Sequence, residues 1–308
     1  MSLNTAQESL DAVRTLESST APAPSPGASH PPPEPKSSED KSAEDKARLE
    51  RIQDRVKAVL LPILCTALFL AFWQAFSQQE GIMLPGPGRV VVESKEFILH
   101  PFFDNGANDK GLGLQVYASL KRVAIGYGMA AIVGIILGLM LGKLKPLYQG
   151  LDPLMQVFRT IPPLAWLPIS LAIFNQSEPA SIWVIFITAI WPIIINTSVG
   201  VMRMPRDYEN VAQVYQVTGS RYLFLVMLPA VAPYMFTGLR IAVGMAWLGI
   251  VAAEMLTGGV GVGFFIWDCW NSGRVSDIVV ALAYVGLVGL ALDRAVAGVA
   301  LLFGSRTD

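Results

Sequence analysis

The sequence predicts an all-α membrane protein with six transmembrane helices, and three observations carry that prediction. Of 308 residues, 53% are apolar and only 15% charged, where soluble domains run at about 45–50% and ~25%, and the mean hydropathy is +0.47. The charges crowd at one end, because residues 1 to 57 hold 8 of the 23 basic and 10 of the 24 acidic residues. Beyond them, Ala58 to Gln79, Val123 to Gly142, Thr160 to Ser177 and Pro179 to Met202 carry no charge at all, and a spanning helix needs about 20 mostly apolar residues. The formal net charge of −1 excludes a polybasic nucleic-acid binder. Cys65 and Cys269 form no metal-ligand or disulfide pattern, and neither histidine, His30 or His100, lies at membrane depth.

The first 48 residues include Pro22, Pro24, Pro26, Pro31, Pro32, Pro33 and Pro35 among Ser, Ala and acids. Such a composition cannot bury enough apolar surface to offset the ordering of its backbone, so 1–48 reads as a disordered cytoplasmic tail and 49–308 as the membrane domain. No basic segment with an apolar core precedes residue 58, so the tail is not a secretory signal. Leu49, Ile52 and Val56 at helical spacing predict an interfacial helix from Ala43 to Lys57. The six spans fall at 57–76, 119–142, 152–175, 180–200, 229–256 and 278–303. Glu178 with Pro179 marks a tight turn between the third and fourth. The last two spans are weaker, since Arg240 lies inside the fifth, Glu254 near its end, and Asp293 and Arg294 inside the sixth.

Lys and Arg near span ends set orientation. Arg48, Arg51, Arg55 and Lys57, then Lys143 and Lys145, then Arg203, Arg206 and Arg221, and finally Arg306 make alternate connections basic. Both termini are therefore expected inside, with 77–118 as a periplasmic segment, ordered by Pro85-Gly86-Pro87 and by Phe97, Phe102 and Phe103 folding back on the bundle. Lys121 and Arg122 conflict with this assignment, because they stand at the outer end of the second span.

Polar groups, proline and glycine within hydrophobic spans mark function, because irregular backbone is tolerated only against protein or a wet cavity. The stretch from Arg159 to Pro168 holds Pro162, Pro163 and Pro168, and the fourth span holds Thr188, Trp191, Pro192, Asn196, Thr197 and Ser198. Glu254 near the outer end is a candidate gate residue. Arg240 and Glu254 lie about 21 Å apart along one helix, so Arg240 is expected to reach Glu209 or a neighbouring span instead. No membrane-depth histidine, carboxylate pair or nucleophile with a base supports a membrane-embedded enzyme. The glycines from Gly258 to Gly263 follow no soluble strand, so a flexible or re-entrant loop is expected there rather than a phosphate cradle.

The 203–227 segment is the most informative. Pro205 can open a helix, Asp207 and Glu209 suit its first turn, and Tyr208, Val211, Ala212 and Tyr215 form an apolar stripe at i, i+3, i+4, i+7. It resembles the cytoplasmic loop of ABC importer permeases, whose pattern is Glu-Ala-Ala, three residues, Gly, nine residues, Ile, one residue, Leu-Pro. Here Asn210-Val211-Ala212 stand for the triplet, Gln216 for the Gly, Val226 for the Ile, and Leu228-Pro229 match. Phe103 to Gly113, Ser119 to Gly126, Arg159 to Leu171, Ile187 to Gly200, Phe236 to Ala242 and Ala252 to Gly261 resemble the permease subunit of cyanobacterial nitrate importers, over roughly residues 58 to 303.

That resemblance implies the type I ABC importer permease architecture and carriage of nitrate or nitrite, with bicarbonate, cyanate, taurine and other sulfonates carried by relatives. It also implies a bacterial inner membrane, a second copy of the chain, two cytoplasmic ATPase subunits that bind ATP and Mg, and a periplasmic substrate-binding lipoprotein. No phosphate-loop motif occurs in this chain, in keeping with ATP sites elsewhere. A small planar oxyanion calls for neutral donors and one guanidinium, so Arg159, Thr188, Asn196 and Thr197 are the expected pathway residues. Tyr208, Glu209, Val211, Ala212, Tyr215 and Gln216 are the expected contacts to the ATPases. A self-contained channel is the rival reading, and it would leave the amphipathic 203–227 segment without purpose.

Overall fold

The computed structural model describes residues 38–302. Within that range the chain consists of helices α1 (Ser38–Ser77), α2 (Pro87–Glu93), α3 (Lys95–Leu99), α4 (Leu112–Lys143), α5 (Lys145–Thr160), α6 (Leu167–Phe174), α7 (Ser177–Met202), α8 (Arg206–Val214), α9 (Gly219–Thr257), α10 (Val262–Asn271) and α11 (Val275–Leu302). A 3-10 turn at Pro163–Trp166 leads into α6. Most of the expected tail lies outside the described residues, but 38–48 belong to α1. Ala, Glu, Lys and Arg dominate that stretch and are strong helix formers. Contacts divide the chain after Ala67, and the tertiary packing described below is that of the unit that begins at Leu68.

Among the described residues five helices are long and apolar enough to cross a membrane: Val56–Ser77 of α1, α4, α7, α9 and α11. The third expected span is a pair instead, α5 and the segment from Pro163 to Phe174, bent by 99°. Prolines explain the break, because a residue before proline is driven out of the helical region. Ile161 and Pro162, each followed by proline, both adopt extended backbone, with ψ of 124° and 141°. The turn into α7 also shifts slightly from its expected place. Asn175 takes it up in the left-handed region, φ 54°, and Glu178 with Pro179 falls inside the first turn of α7.

The core is the seam of α4 on α7 and of α7 on α9. Along α4 the residues Gly126, Ala130, Gly134, Gly138 and Gly142, four apart, are all buried. They face Ile185, Ile193, Thr197 and Val201 so closely that a Cβ on Gly138 would lie 2.6 Å from Thr197 Cβ, and one on Gly142 2.5 Å from Val201 Cβ. Small residues at four-residue spacing let two helices approach until their backbones nearly touch, which is how helices pack where lipid supplies no hydrophobic drive. Side chain to backbone bonds lock α9 on either side: Tyr127 Oη donates to Leu239 O at 3.1 Å and Trp247 Nε1 to Val285 O at 2.9 Å. Between those two bonds along α9, Arg240 finds Asp293 of α11, in two bonds of 2.5 and 2.8 Å. The neighbouring-span partner is the one realised.

The 77–118 segment is ordered, as expected. Phe97 packs against Phe103 and Phe265, with ring centroids 5.5 and 5.0 Å apart, whereas Phe102 stays exposed. Asp104 pairs with Lys110 across a small loop, and Gly111 is obligatory there because its Cβ would lie 2.3 Å from Pro101 O. At the start of α11, Ser276 donates to Glu93, and Ser94 Oγ to Asp277 Oδ1 at 2.7 Å. The Ser276 hydroxyl and Arg89 together hold the Glu93 carboxyl below its ordinary 4.5, and Lys110 with the Gly106 amide holds Asp104 below its ordinary 3.8.

Two outcomes follow from this packing. Gly138→Leu is expected to lower the thermal unfolding midpoint in detergent, since overpacking a tight seam costs about 1–3 kcal/mol or more. Gly128→Leu, at a position with nothing within 4 Å, leaves the midpoint near wild type. For the strap of α2 and α3 on α11, depressed carboxyl groups contribute stability that is present above their unfolded values and lost as pH falls through the folded ones. Amide protection factors over 87–110 should therefore fall below about pH 4.5 while those of the α4–α7 seam hold; an equal fall in both would show that the strap carboxylates hold nothing local.

Candidate functional site

Three places concentrate the polar and irregular features. The first is the break between α5 and α6. Phe158, in the last turn of α5, stacks on Trp191 of α7 with centroids 5.2 Å apart and rings 16° from parallel, and lies 6.0 Å from the Trp166 ring. Arg159, the next residue, is exposed, and among the described residues no carboxylate pairs with it. Thr188 is 4% exposed. Its hydroxyl faces Gly249 of α9, where a Cβ would lie 3.8 Å from Oγ1 and 3.6 Å from Pro163 Cβ. Thr188 and Trp191 of α7 thus lie beside the break, while Arg159 is exposed at the end of α5.

The other two expected pathway residues stand apart from it. Asn196 is half-buried under Gly238 of α9, and its amide is bonded to Pro192 O at 2.8 Å. Thr197, one residue on, turns to the opposite neighbour: it is wholly buried beneath Gly138 in the α4 seam. Successive helical residues point about 100° apart, so sequence adjacency placed these two together where the fold separates them. Thr197 serves packing in this structure.

The second place is the far end of α9. Glu254 is 1% exposed, and its carboxylate accepts bonds from Ser119 Oγ at 2.7 Å, Arg122 at 2.7 Å and the Gly263 amide at 3.1 Å. Arg122 also donates to Val260 O, Ser119 Oγ accepts from the Val262 amide, and Gln115 Oε1 accepts from the Gly261 amide. A Cβ on Gly261 would lie 2.4 Å from the Glu254 carboxyl carbon, and one on Gly263 2.1 Å from Val251 O. The glycine-rich stretch is therefore a strap folded onto α9 and continued by α10, a helix the sequence reading missed. Glu254, expected at a gate, is here an enclosed strut. Arg122, whose charge conflicted with the orientation assignment, has its counter-ion. That conflict was the signal that could have found the pair.

The third place is α8. Tyr208, Val211 and Tyr215 are 49%, 56% and 76% exposed and border a groove of about 500 Å³ with Leu225 and Pro229. Ala212, expected on the same docking stripe, is buried inside the chain; it seats the helix. Glu209 is exposed and turns to a separate cleft shared with Lys143, Lys145 and Arg206. Gln216, standing where the permease pattern has glycine, adopts φ 54°. The Val217 amide donates to Ala212 O at 2.8 Å and the Gln216 amide to Gln213 O at 3.0 Å, the paired bonds of a Schellman helix end. The helix–turn–helix geometry is kept, with a glutamine in a backbone region that favours glycine. One π turn, Leu223–Met227, then precedes Leu228-Pro229. Among the described residues no His, Cys, Asp and Glu cluster is placed to hold a metal.

Comparison with known proteins accords with this architecture. Residues 130–306 match the family described as binding-protein-dependent transport system inner membrane component. The chain is 56% identical over 239 residues to the nitrate import permease protein NrtB of Synechocystis sp., covering 78% of this chain and 87% of the relative. It is 51% identical over 252 residues to the bicarbonate transport system permease protein CmpB of Synechococcus elongatus, covering 81% and 91%. In fold it resembles the inward-facing MetNI methionine ABC transporter, with a TM-score of 0.52 at 17% identity, over 62% of this chain and 97% of that one. Five membrane-length helices, a broken sixth span, and the α8 turn leading to Leu228-Pro229 thus occur in a chain that belongs to the binding-protein-dependent transport system inner membrane component family, as a multi-pass ABC importer permease subunit.

Proposed function

We propose that this subunit forms the translocation pathway for nitrate, and nitrite, in an ATP-driven importer of the bacterial inner membrane. The identity of 56% to a nitrate import permease carries the reading. Two copies pair around the pathway, a lipid-anchored binding protein delivers the anion from outside, and two cytoplasmic ATPases hold ATP and Mg. The termini and α8 lie inside; the Glu254 knot and 77–118 lie outside. ATP-driven closure pushes on α8, and the rigid α9 that follows carries the displacement to the outer end, alternating access. Arg159 supplies the guanidinium that meets the anion at the break, while Thr188 and Asn196 offer neutral groups along α7. Glu254 holds the outer end together so that it moves as one body. Bicarbonate is the second reading, supported by the 51% identity to a bicarbonate permease. Uptake of labelled nitrate by the reconstituted importer, with bicarbonate, nitrite and taurine as competitors, separates them: competition by nitrite alone supports the nitrate reading, and uptake of bicarbonate without nitrate ends it.

Two substitutions test the assigned roles. Arg159→Ala should lower the maximal uptake rate at least tenfold while the complex purifies intact, since the charge makes no ion pair that packing needs; wild-type uptake would leave Arg159 as a helix-end cation only. Val211→Asp puts a charge in the exposed stripe. Losing one buried apolar side chain is worth about 1.5–3 kcal/mol, so ATPase association should weaken tenfold or more, with uptake uncoupled from ATP hydrolysis. Retention of both would place the contact elsewhere.

A further inference from the structure

Among the described residues four buried side-chain donors lack a partner: Trp73 Nε1, Thr188 Oγ1, Trp191 Nε1 and Thr197 Oγ1. Unpaired buried donors are rare, and each calls for a reason. A helical threonine readily satisfies itself on the carbonyl four residues back, and Thr66, Thr237 and Thr257 do so here at 2.8, 2.9 and 3.1 Å. Thr188 does not. Trp191 is three residues further along α7, hence on the same side of the helix. Both look onto one segment: Thr188 onto Pro163 across Gly249, and Trp191 onto the Phe158 ring. Phe158 and Pro163 flank the break at Ile161 and Pro162. Trp73 and Thr197 share no such neighbour, since Thr197 lies in the α4 seam.

We infer that Thr188 Oγ1 and Trp191 Nε1 form a two-donor subsite for a fully deprotonated planar oxyanion, covered in this structure by Phe158 and Pro163 of the broken span. The inference rests on the transport reading above. Nitrate carries only acceptor oxygens, so two donors one turn apart can take two of them. An indole N–H donates and cannot accept, so a bicarbonate turned with its hydroxyl toward Trp191 finds no partner there, whereas nitrate fits in every orientation. Neutral donors hold an anion without trapping it, as a conduction path requires. Displacing the break uncovers the pair, and the anion then satisfies both groups.

Thr188→Val keeps shape and Trp191→Phe keeps an aromatic ring to stack on Phe158, while each removes one donor. The test is nitrate uptake by the full importer in proteoliposomes, with unfolding midpoints measured on the same preparations. The pair acts after delivery, so the maximal rate should fall about tenfold in each variant with KM unchanged, and the midpoint of Thr188→Val, which leaves no cavity, should stay at or above wild type. Thr237→Val, which removes a self-satisfied hydroxyl, leaves rate and KM unaltered. An unchanged maximal rate in both variants beside an active wild type overturns the subsite, as does a rate loss in Thr188→Val matched by a lowered midpoint. A wild type that carries bicarbonate and no nitrate instead ends the nitrate reading, and with it the preference for a deprotonated ion.

Discussion

A carboxylate cannot be enclosed in the interior of a membrane protein unless donors surround it, and the Glu254 knot shows what meeting that demand imposes. Its oxygens draw in Ser119 and Arg122 from α4 and the amide of Gly263 from the strap. The backbone must pass so near that only glycine fits at 261 and 263. One buried charge thereby sets the register of α4 against α9, the path of the connection into α10, and the composition of that connection. The pair Arg240–Asp293 does the corresponding work between α9 and α11, though partly exposed. The two spans that read as weakest are weak because they carry charges matched to other helices.

With the register set, packing decides what α7 can present. Glycines of α4 close one side and α9 the other, so α7 is the most enclosed of the long helices. The side left for the broken span carries Thr188 and Trp191. Three prolines, two of them adjacent, deny that span a continuous ladder of hydrogen bonds. The consequence is a bend whose flanking aromatics lie on α7 without being built into it.

At the opposite end of α9 the constraint is exposure. Tyr208, Val211 and Tyr215 remain open while Ala212 anchors α8 beneath them, so an apolar stripe is presented on a helix held by its own chain. Gln216 ends α8 by the backbone route that glycine uses at the corresponding end of α10, where Gly273 has φ 70° and the Arg274 amide bonds Cys269 O. The paired turn bonds and the seating of Ala212 sustain the left-handed glutamine. Position along the chain thus links the groove at α8 to the knot at Glu254 through one continuous helix.

The sequence by itself determined the class, the spans and the irregularities. Charge-free intervals gave α7 and the C-terminal ends of α1 and α4 to within two residues, because lipid admits no unpaired charge, but α1 and α4 start well before their intervals, on charged turns outside the apolar stretch. The prolines after Arg159 announced a break, and Pro205 with its acids announced α8, because these are local effects of backbone chemistry. Resemblance supplied the family. Partnership was left to the tertiary structure: which neighbour Arg240 takes, that Thr197 faces α4 while Asn196 faces α9, that Ala212 points inward, and that Glu254 is held fast. The glycines of α4 recur at four-residue spacing, but the reading of the sequence gave them no role, because their meaning depends on Ile185, Ile193 and Thr197 some 59 residues downstream. A helix face is legible from spacing, but what lies against it is chosen by the whole chain, since burial and pairing energies belong to contacts between segments rather than to any one of them.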